Sequence, residues 1–554
     1  MTVETGPTSP GQQPANAQAL NFTAANTLQS TSLVGYQSRG HCLVIAQLEQ
    51  GLDVISRLAV KGKTLFVIDN ASTEIDRQTT EDGIKVITAR AHNLRGYLGA
   101  FDCEIGDPQS PGSLAKVAGV SLLGGFDTVL DLSEVPLIDY DVPPFGYYAA
   151  ADNPDALRLA MEELPDMEGE FEKPKYFDYD ASICAHSRSG ITACTNCVDV
   201  CSTGAITSAG DGVLVEPYLC QGCGSCASSC PSGAMKYAYP KPSDAMSQLS
   251  GLVAEHYAAG NQQVVVLLHD AENGAARLQG YQQDLDASIL PLSVEEVASV
   301  GMDGWFCALA YGASAVVIDA PSDNSVMHAG LKTQLDIANK ILEGIGHSNR
   351  LHLVDEASSV VLNEIAGGSW PRLPVASFKT FDDKRQTIRM ALDHLTIKPT
   401  SSEIIDLSSG SPFGRVIVNK ADCTLCLACV TVCPARALQD GETLPQLKFI
   451  ESSCLQCGLC EKACPEDAIS LEQRYLIDSE QALKPVMLNE EKPFNCIVCN
   501  TAFATERIIG RMQAKLSGHW MFEDEKSMRR LKMCEDCRVK DIFQQESGID
   551  VHKS

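Results

Sequence analysis

The 554-residue chain contains no uninterrupted apolar run of about 18 residues; the nearest candidate, Trp305 to Ala320, is short and contains Gly312. A membrane-spanning helix needs about 20 apolar residues, so no such span is expected. Positive charge is scarce as well, with 43 Lys and Arg against 71 Asp and Glu and a formal charge of -28. General nucleic-acid binding needs a basic face that displaces counterions, and that class is set aside. An acidic surface steers encounters with basic patches on partners, or simply keeps a large chain soluble. Residues 1–30 lack the basic-then-apolar order of a secretory signal and are rich in Gln, Thr, Asn and Ala. They read as a disordered polar tail, and a cytoplasmic location is expected. The glycine-rich G-x-G-x-x-G that cradles dinucleotide phosphates is missing too: Gln47-Leu48-Glu49-Gln50-Gly51 stands in its place, although an acidic Asp69 follows the second strand. No molybdopterin, nickel, flavin or nucleoside-triphosphate motif is recognisable.

Cysteine, by contrast, is abundant, and sixteen of the 23 fall into two blocks. The later block holds Cys423, Cys426, Cys429, Cys433 and Pro434, then Cys454, Cys457, Cys460, Cys464 and Pro465. Both halves are C-x2-C-x2-C-x3-C-P, in which three thiolates wrap one corner of an iron–sulfur cube and the fourth, turned away by proline, reaches the neighbouring cube. The predicted [4Fe-4S] ligand sets therefore cross: Cys423, Cys426, Cys429 and Cys464 for one, Cys454, Cys457, Cys460 and Cys433 for the other. In the earlier block Cys220, Cys223, Cys226, Cys230 and Pro231 are regular, whereas Cys184 is followed by nine residues before Cys194, Cys197 and Cys201, and Ser202 replaces the proline. The same rule groups Cys184, Cys194, Cys197 and Cys230, and separately Cys220, Cys223, Cys226 and Cys201. His186, in the insertion, is the alternative ligand to Cys184. Disulfides would need an oxidising compartment, and four such groups exceed what zinc ribbons use.

Each fourth cysteine is followed at one distance by Ala and an apolar residue: Ala205-Ile206, Ala234-Met235, Ala437-Leu438 and Ala468-Ile469. Short apolar strands precede three of the four leading cysteines, at Val213-Leu214-Val215, Val416-Ile417-Val418 and Phe449-Ile450. The unit of strand, cluster loop and helical turn is thus repeated four times. On these residues the chain resembles the bacterial-type 2[4Fe-4S] ferredoxin family, duplicated as in a polyferredoxin. The resemblance implies an iron–sulfur electron-transfer protein with four [4Fe-4S] clusters, serving a dehydrogenase or hydrogenase partner, formate dehydrogenase being one setting.

The expected architecture is multidomain, α/β plus α+β. It comprises a tail (1–30), an N-terminal α/β domain with β-α-β alternation (31–172), a first ferredoxin module (173–240), a central flavodoxin-like α/β domain (241–400), a second ferredoxin module (401–475) and a C-terminal region (476–554). Ser293 to Glu296 and Gly312 to Ile318 are weakly similar to the delta-subunit domain of methyl-viologen-reducing hydrogenases, although that family's cysteine pairs are missing. Cys307 reads as a buried small hydrophobe. His269 and Asp270 stand at a predicted strand end, where ligand sites gather. In the C-terminal region Cys496, Cys499, Cys534 and Cys537 form two C-x2-C knuckles around a predicted helix from Glu506 to Leu516, a donor set suited to Zn2+. Nine Lys or Arg against six Asp or Glu between Glu506 and Lys540 make this tail locally basic, either as a solvated face or as a dock for an acidic partner. Two other readings stay open: a flavin-containing oxidoreductase built on the central sheet, and an assembly factor for a metalloenzyme.

Overall fold

A computed structural model describes residues 32–547, apart from 59–63, 70–74, 152, 323–324, 380–382, 397–402, 443 and 523. The expected N-terminal tail lies outside the described residues. Apolar runs of four to six residues, too short for helices, become strands buried on both faces. The first sheet orders its strands Tyr147–Ala149, Thr128–Asp131, His41–Ala46, Thr64–Asp69, Lys85–Thr88 and Asp76–Thr79. Neighbours are parallel except for the last pair, where Asp76–Thr79 closes one edge in the antiparallel sense. Side chains alternate across it: Leu43, Ile45, Phe66 and Ile68 enter one core, and Cys42, Val44, Ala46 and Val67 the other. The helix Leu48–Arg57 covers the second core. A Cβ on Gly51 would meet Val67 Cγ1 at 2.8 Å, so this glycine serves helix–sheet contact rather than a phosphate.

The central sheet runs Ile289–Val294, Val265–Asp270, Ala315–Asp319, Leu351–Val354, every pair parallel. In chain order this is 2-1-3-4, with the topological switch at the carboxyl ends of the first and third strands. Its largest core takes in the helix Met302–Ala310, buried on every side, including Trp305 and Cys307. Burial pushes the Cys307 thiol upward, as expected for an inert core cysteine.

The two ferredoxin modules share one pairing scheme. In the first, Phe177–Tyr179 pairs with Met235–Tyr237 and Ile206–Ala209 with Gly212–Val215; in the second, Gly414–Val418 pairs with Ile469–Leu476 and Leu438–Gly441 with Leu444–Phe449. The strand before the leading cysteine thus meets the strand after the last, which brings distant cysteines together. Phe177–Tyr179 is the strand before Cys184 that apolar patterning missed, because its only strongly apolar residue is Phe177.

Helix Lys384–Leu395 ties the pieces together: Lys384 donates to the carbonyls of Ala227 and Ser228 in the first module, and Arg385 to Ser452 and Cys454 in the second. Among the described residues no helix is long and apolar enough to cross a membrane.

Candidate metal centres

Backbone conformation repeats at each cysteine loop. Two and four residues after the leading cysteine, Gly222 and Gly224, Leu425 and Leu427, and Gln456 and Gly458 all have φ between 54° and 83°. Three residues after each fourth cysteine, Gly204, Gly233, Arg436 and Asp467 are again left-handed. A side-chain-bearing residue in this region costs about 1–2 kcal/mol, so five such residues in the loops mark a geometry imposed for a purpose.

That geometry gathers sulfurs. Burial first, and then the sulfurs of Cys426, Cys423 and Cys464, push the Cys429 thiol up to about 12. Cys460 is raised by burial and then by Cys454, Cys457, Cys433 and Cys429. In the first module Cys197 is pushed up to about 12 by burial, then by Cys230, Cys194 and Cys184. Cys226 is raised by burial, then by Cys223, Cys220, Cys201 and Cys197. Four groups of four thiols therefore converge, each drawing its fourth member from the other half of its module. Thiols packed this closely suit a cation-rich cluster that takes them as thiolates. Donors already face the sulfurs: the amides of Met235 and Ala468 reach Cys230 Sγ and Cys464 Sγ at 3.4 and 3.3 Å, and Gln456 Nε2 reaches Cys454 Sγ at 3.3 Å. Such donors tune a bound cluster.

The insertion before Cys194 folds as a hairpin, Ser187–Arg188 against Ile191–Thr192. His186 is buried within it; its Nδ1 donates to the Cys194 carbonyl at 2.8 Å and its Nε2 meets Ser208 Oγ at 2.6 Å. Both ring nitrogens are thus engaged, and His186 braces the loop instead of offering a metal ligand. The modules also meet. Lys462 Nζ donates to the Thr192 carbonyl at 2.8 Å, and burial, with smaller contributions from Cys230 and from Cys457 of the second module, pushes the Cys194 thiol up to about 11.

Sequence reasoning missed three cations. Lys173 Nζ donates to Tyr218 and Cys220 carbonyls at 2.9 and 2.7 Å; burial pulls it down to about 8, which leaves it cationic at neutral pH. Arg385, drawn down to about 10 by burial, and Arg507 hold the corresponding carbonyls of Cys454 and Cys423. They lie 47, 69 and 84 residues from those cysteines, and no local pattern announces them.

The fifth cysteine group is tighter still. Cys496 and Cys499 leave the strand Pro493–Asn495, and Cys534 and Cys537 lie at the start of helix Glu535–Ser547. Their four sulfurs lie within 4.8 Å of one another, with Cys499 and Cys534 3.6 Å apart. Tetrahedral thiolate ligation at about 2.3 Å needs sulfurs roughly 3.8 Å apart, so the group fits such an ion. Burial works upward on Cys496, but backbone amides of Cys499, Cys534 and Val498 outweigh it and pull the thiol down to about 6. Glu506–Leu516 is helical as expected. Two of its basic residues are used within the chain, Arg507 pairing with Glu491 at 2.6 Å and Arg511 with Glu466, and the Thr505 Oγ just before the helix donates to the Thr424 carbonyl. The tail thereby docks on the second module.

At the carboxyl edge of the central sheet a cleft of about 880 Å³ is lined by Asp270, Glu272, Glu295, Glu296 and Arg277. Burial, and then Asp270, Glu295 and Glu272, push Glu296 up to about 7. His269 and Asp270 form no catalytic pair: the imidazole donates to the Asp270 backbone carbonyl, while its carboxylate accepts from Glu272 and Gly274 amides.

Comparison with known proteins agrees with this geometry. A 4Fe-4S dicluster domain matches residues 422–469 and a 4Fe-4S binding domain residues 213–236. Indolepyruvate oxidoreductase subunit IorA of Methanothermobacter thermautotrophicus is 24% identical over 382 residues, covering 63% of this chain and 53% of that protein. The chain thus spans about half the length of that relative. NADH-quinone oxidoreductase subunit I 2 of Geobacter metallireducens is 32% identical over 103 residues, 16% of this chain and 79% of the relative. A ferredoxin of Rickettsia felis is 36% identical over 62 residues, 11% of this chain and 55% of the relative. With its two matched cluster-binding segments and the shared pairing scheme around them, the chain belongs to the ferredoxin-like 4Fe-4S iron–sulfur proteins, with the module duplicated.

Proposed function

We propose that this protein carries four [4Fe-4S] centres, on the four cysteine quartets, and relays single electrons to or from a cytoplasmic oxidoreductase, a dehydrogenase or hydrogenase. The observation that carries the reading is the convergence of sixteen thiols into four groups, each completed across its module. Each centre, once bound, takes up and returns one electron. The contact of Lys462 with the Thr192 carbonyl favours one continuous path through both modules over two separate relays. The printed names of the relatives, two oxidoreductase subunits and a ferredoxin, support a subunit that serves catalysis performed elsewhere. The carboxylates lining the central cleft would repel the phosphate of a flavin nucleotide, which weighs against a flavin enzyme at that edge. Zinc at Cys496, Cys499, Cys534 and Cys537 would pin the tail to the second module.

Anaerobic purification with metal and sulfide analysis tests the cofactor reading. About sixteen irons, sixteen sulfides and one zinc per chain are expected. Iron near eight would leave one module empty and sink the four-centre count. Affinity capture from the native cell tests the partner: a mature oxidoreductase is expected, whereas an immature apoenzyme would point to an assembly role.

A further inference from the structure

The residue after each fourth cysteine is proline in three loops, Pro231, Pro434 and Pro465, and Ser202 in the remaining one. One place further on, Thr203 stands where the second module has Ala435 and Glu466 and the other loop of its own module has Ser232. Two residues after the second cysteine of each regular loop, Ser225 stands where the second module has Ala428 and Leu459. These three hydroxyl residues are buried, between 3% and 5% exposed, and all three lie at the sulfurs of one quartet, Cys201, Cys220, Cys223 and Cys226. Ser202 Oγ donates to Cys223 Sγ at 3.6 Å, across the two halves of the module, and Thr203 Oγ1 lies 3.5 Å from Cys201 Sγ. Ser225 Oγ has no hydrogen-bond partner among the described residues, yet it sits beside Cys223. Burial raises that thiol, and the Ser225 amide, the Ser202 hydroxyl and the Ser225 hydroxyl draw it partly back. The other quartets carry less of this: Ser232 Oγ approaches Cys230 Sγ at 3.6 Å, and in the second module the side-chain donor is the Gln456 amide on Cys454. A buried hydroxyl without an acceptor loses the hydrogen bonds it makes in water, so three gathered at one spot point to an acceptor bound there.

We infer that Ser202, Thr203 and Ser225 donate hydrogen bonds to the sulfurs of the centre on Cys201, Cys220, Cys223 and Cys226, and that they hold its reduced form more firmly than the second module's residues would in their places. The inference rests on the proposed function. Adding an electron makes a thiolate-held cluster more negative, so its sulfurs become better acceptors and each donor stabilises the reduced form more than the oxidised one. A proline at position 202 or an alanine at 203 or 225 offers no side-chain donor. The serine that breaks the C-P pattern is thus a positioning residue that tunes one centre. Fixed cations act on the same quartet, Lys173 through the Cys220 carbonyl and Lys384 through that of Ala227, beside Cys226. They stay in place in every variant below, so the hydroxyls are read by themselves.

The test is an EPR-monitored redox titration of the full-length, cluster-loaded protein after iron counting, with the signal of this centre assigned as the one lost in Cys226→Ser. Ser202→Ala, Thr203→Val and Ser225→Ala should each lower its ratio of reduced to oxidised form about fivefold at fixed poise, equivalent to about 41 mV for one electron. The other three signals should stay within about twofold of their unvaried ratios. Ser202→Thr and Thr203→Ser keep the hydroxyl and should leave the ratio within about twofold as well. Thr203→Val also keeps the shape of the side chain, and it carries the test where an alanine variant sheds iron. The inference is overturned if removing the hydroxyls leaves this ratio within twofold, if the shifts fall on different signals, or if the hydroxyl-keeping variants shift as far. Any of these results with about sixteen irons present leaves the proposed function standing, whereas unvaried protein with no cluster on these four cysteines overturns both.

Discussion

The second ferredoxin module keeps regular cysteine spacing in both halves, whereas the first keeps it in one, and the two are held differently by the rest of the chain. The contrast is sharpest four residues after a leading cysteine. Gly224 and Gly458 have nearly the same backbone, φ 79° and 81°, yet a Cβ on Gly224 would come within 2.5 Å of Ser299 Cα while one on Gly458 would meet nothing within 4 Å. Leu427 fills the equivalent position in the other half of the second module with a full side chain. The first module is pressed against the central domain at its regular half, and the hairpin insertion lies in its other half, where it reaches the second module. The second module has open loops on this side and is clasped by the C-terminal tail. Where a cysteine loop departs from the regular spacing, its brace comes from within the insertion itself, here His186 and its two hydrogen bonds to Cys194 and Ser208.

The comparison can be broken most severely at the ligands. Cys426→Ser and Cys184→Ser should each remove one centre, about four irons, from the second and first module respectively. Iron and sulfide analysis checks this with Cys307→Ser, a core position, as the unchanged control; retention of all iron by Cys184→Ser would remove that cysteine from the set. Next, Gly224→Ala should destabilise the protein by about 2–4 kcal/mol, because backbone must move, against about 1 kcal/mol for Gly458→Ala, which meets only the left-handed penalty. Thermal unfolding of the cluster-loaded variants separates the two, and equal losses would refute the asymmetry in packing. His186→Ala should cost about 1–3 kcal/mol by leaving the Cys194 carbonyl and Ser208 without their partner. Cluster bleaching on heating should then begin in the first module. The smallest effect is expected for Lys462→Ala, which removes one exposed contact between modules and should change stability by no more than about 0.5 kcal/mol. A large effect there would mean that this single bond, and not the helix Lys384–Leu395, joins the modules.

Much of this was legible before any coordinates. Short apolar runs mark the central-sheet strands within a residue or two, Val264 to Leu268 where the strand is Val265–Asp270 and Ala315 to Ile318 where it is Ala315–Asp319, and in the first sheet the runs at residues 42–46, 64–68 and 128–130, whereas Asp76–Thr79, Lys85–Thr88 and Tyr147–Ala149 are not marked by apolar runs. Period and apolarity are local properties, so they survive in the sequence. The strand Phe177–Tyr179 escaped because its polar residues break the apolar run and its partner, Met235–Tyr237, lies far along the chain. The locally basic tail was legible as composition but not as contact, since Glu466 and Glu491 were not visible as its partners. Gly51 shows the same limit: its position suggested a phosphate loop that lacked its motif, and only the approach of Val67 explains it.

By itself the sequence determined which thiols can share a neighbourhood. Three cysteines two residues apart, then a fourth three further on, constrain a few turns of backbone whose geometry depends on little beyond those residues. Only the tertiary structure decided what surrounds those loops: which cation is seated on which carbonyl, which module presses on the central sheet, and that Lys462 of the second module meets the Thr192 carbonyl of the first. These contacts join residues many tens of positions apart, and their charge–dipole and packing energies depend on distances that no periodicity records.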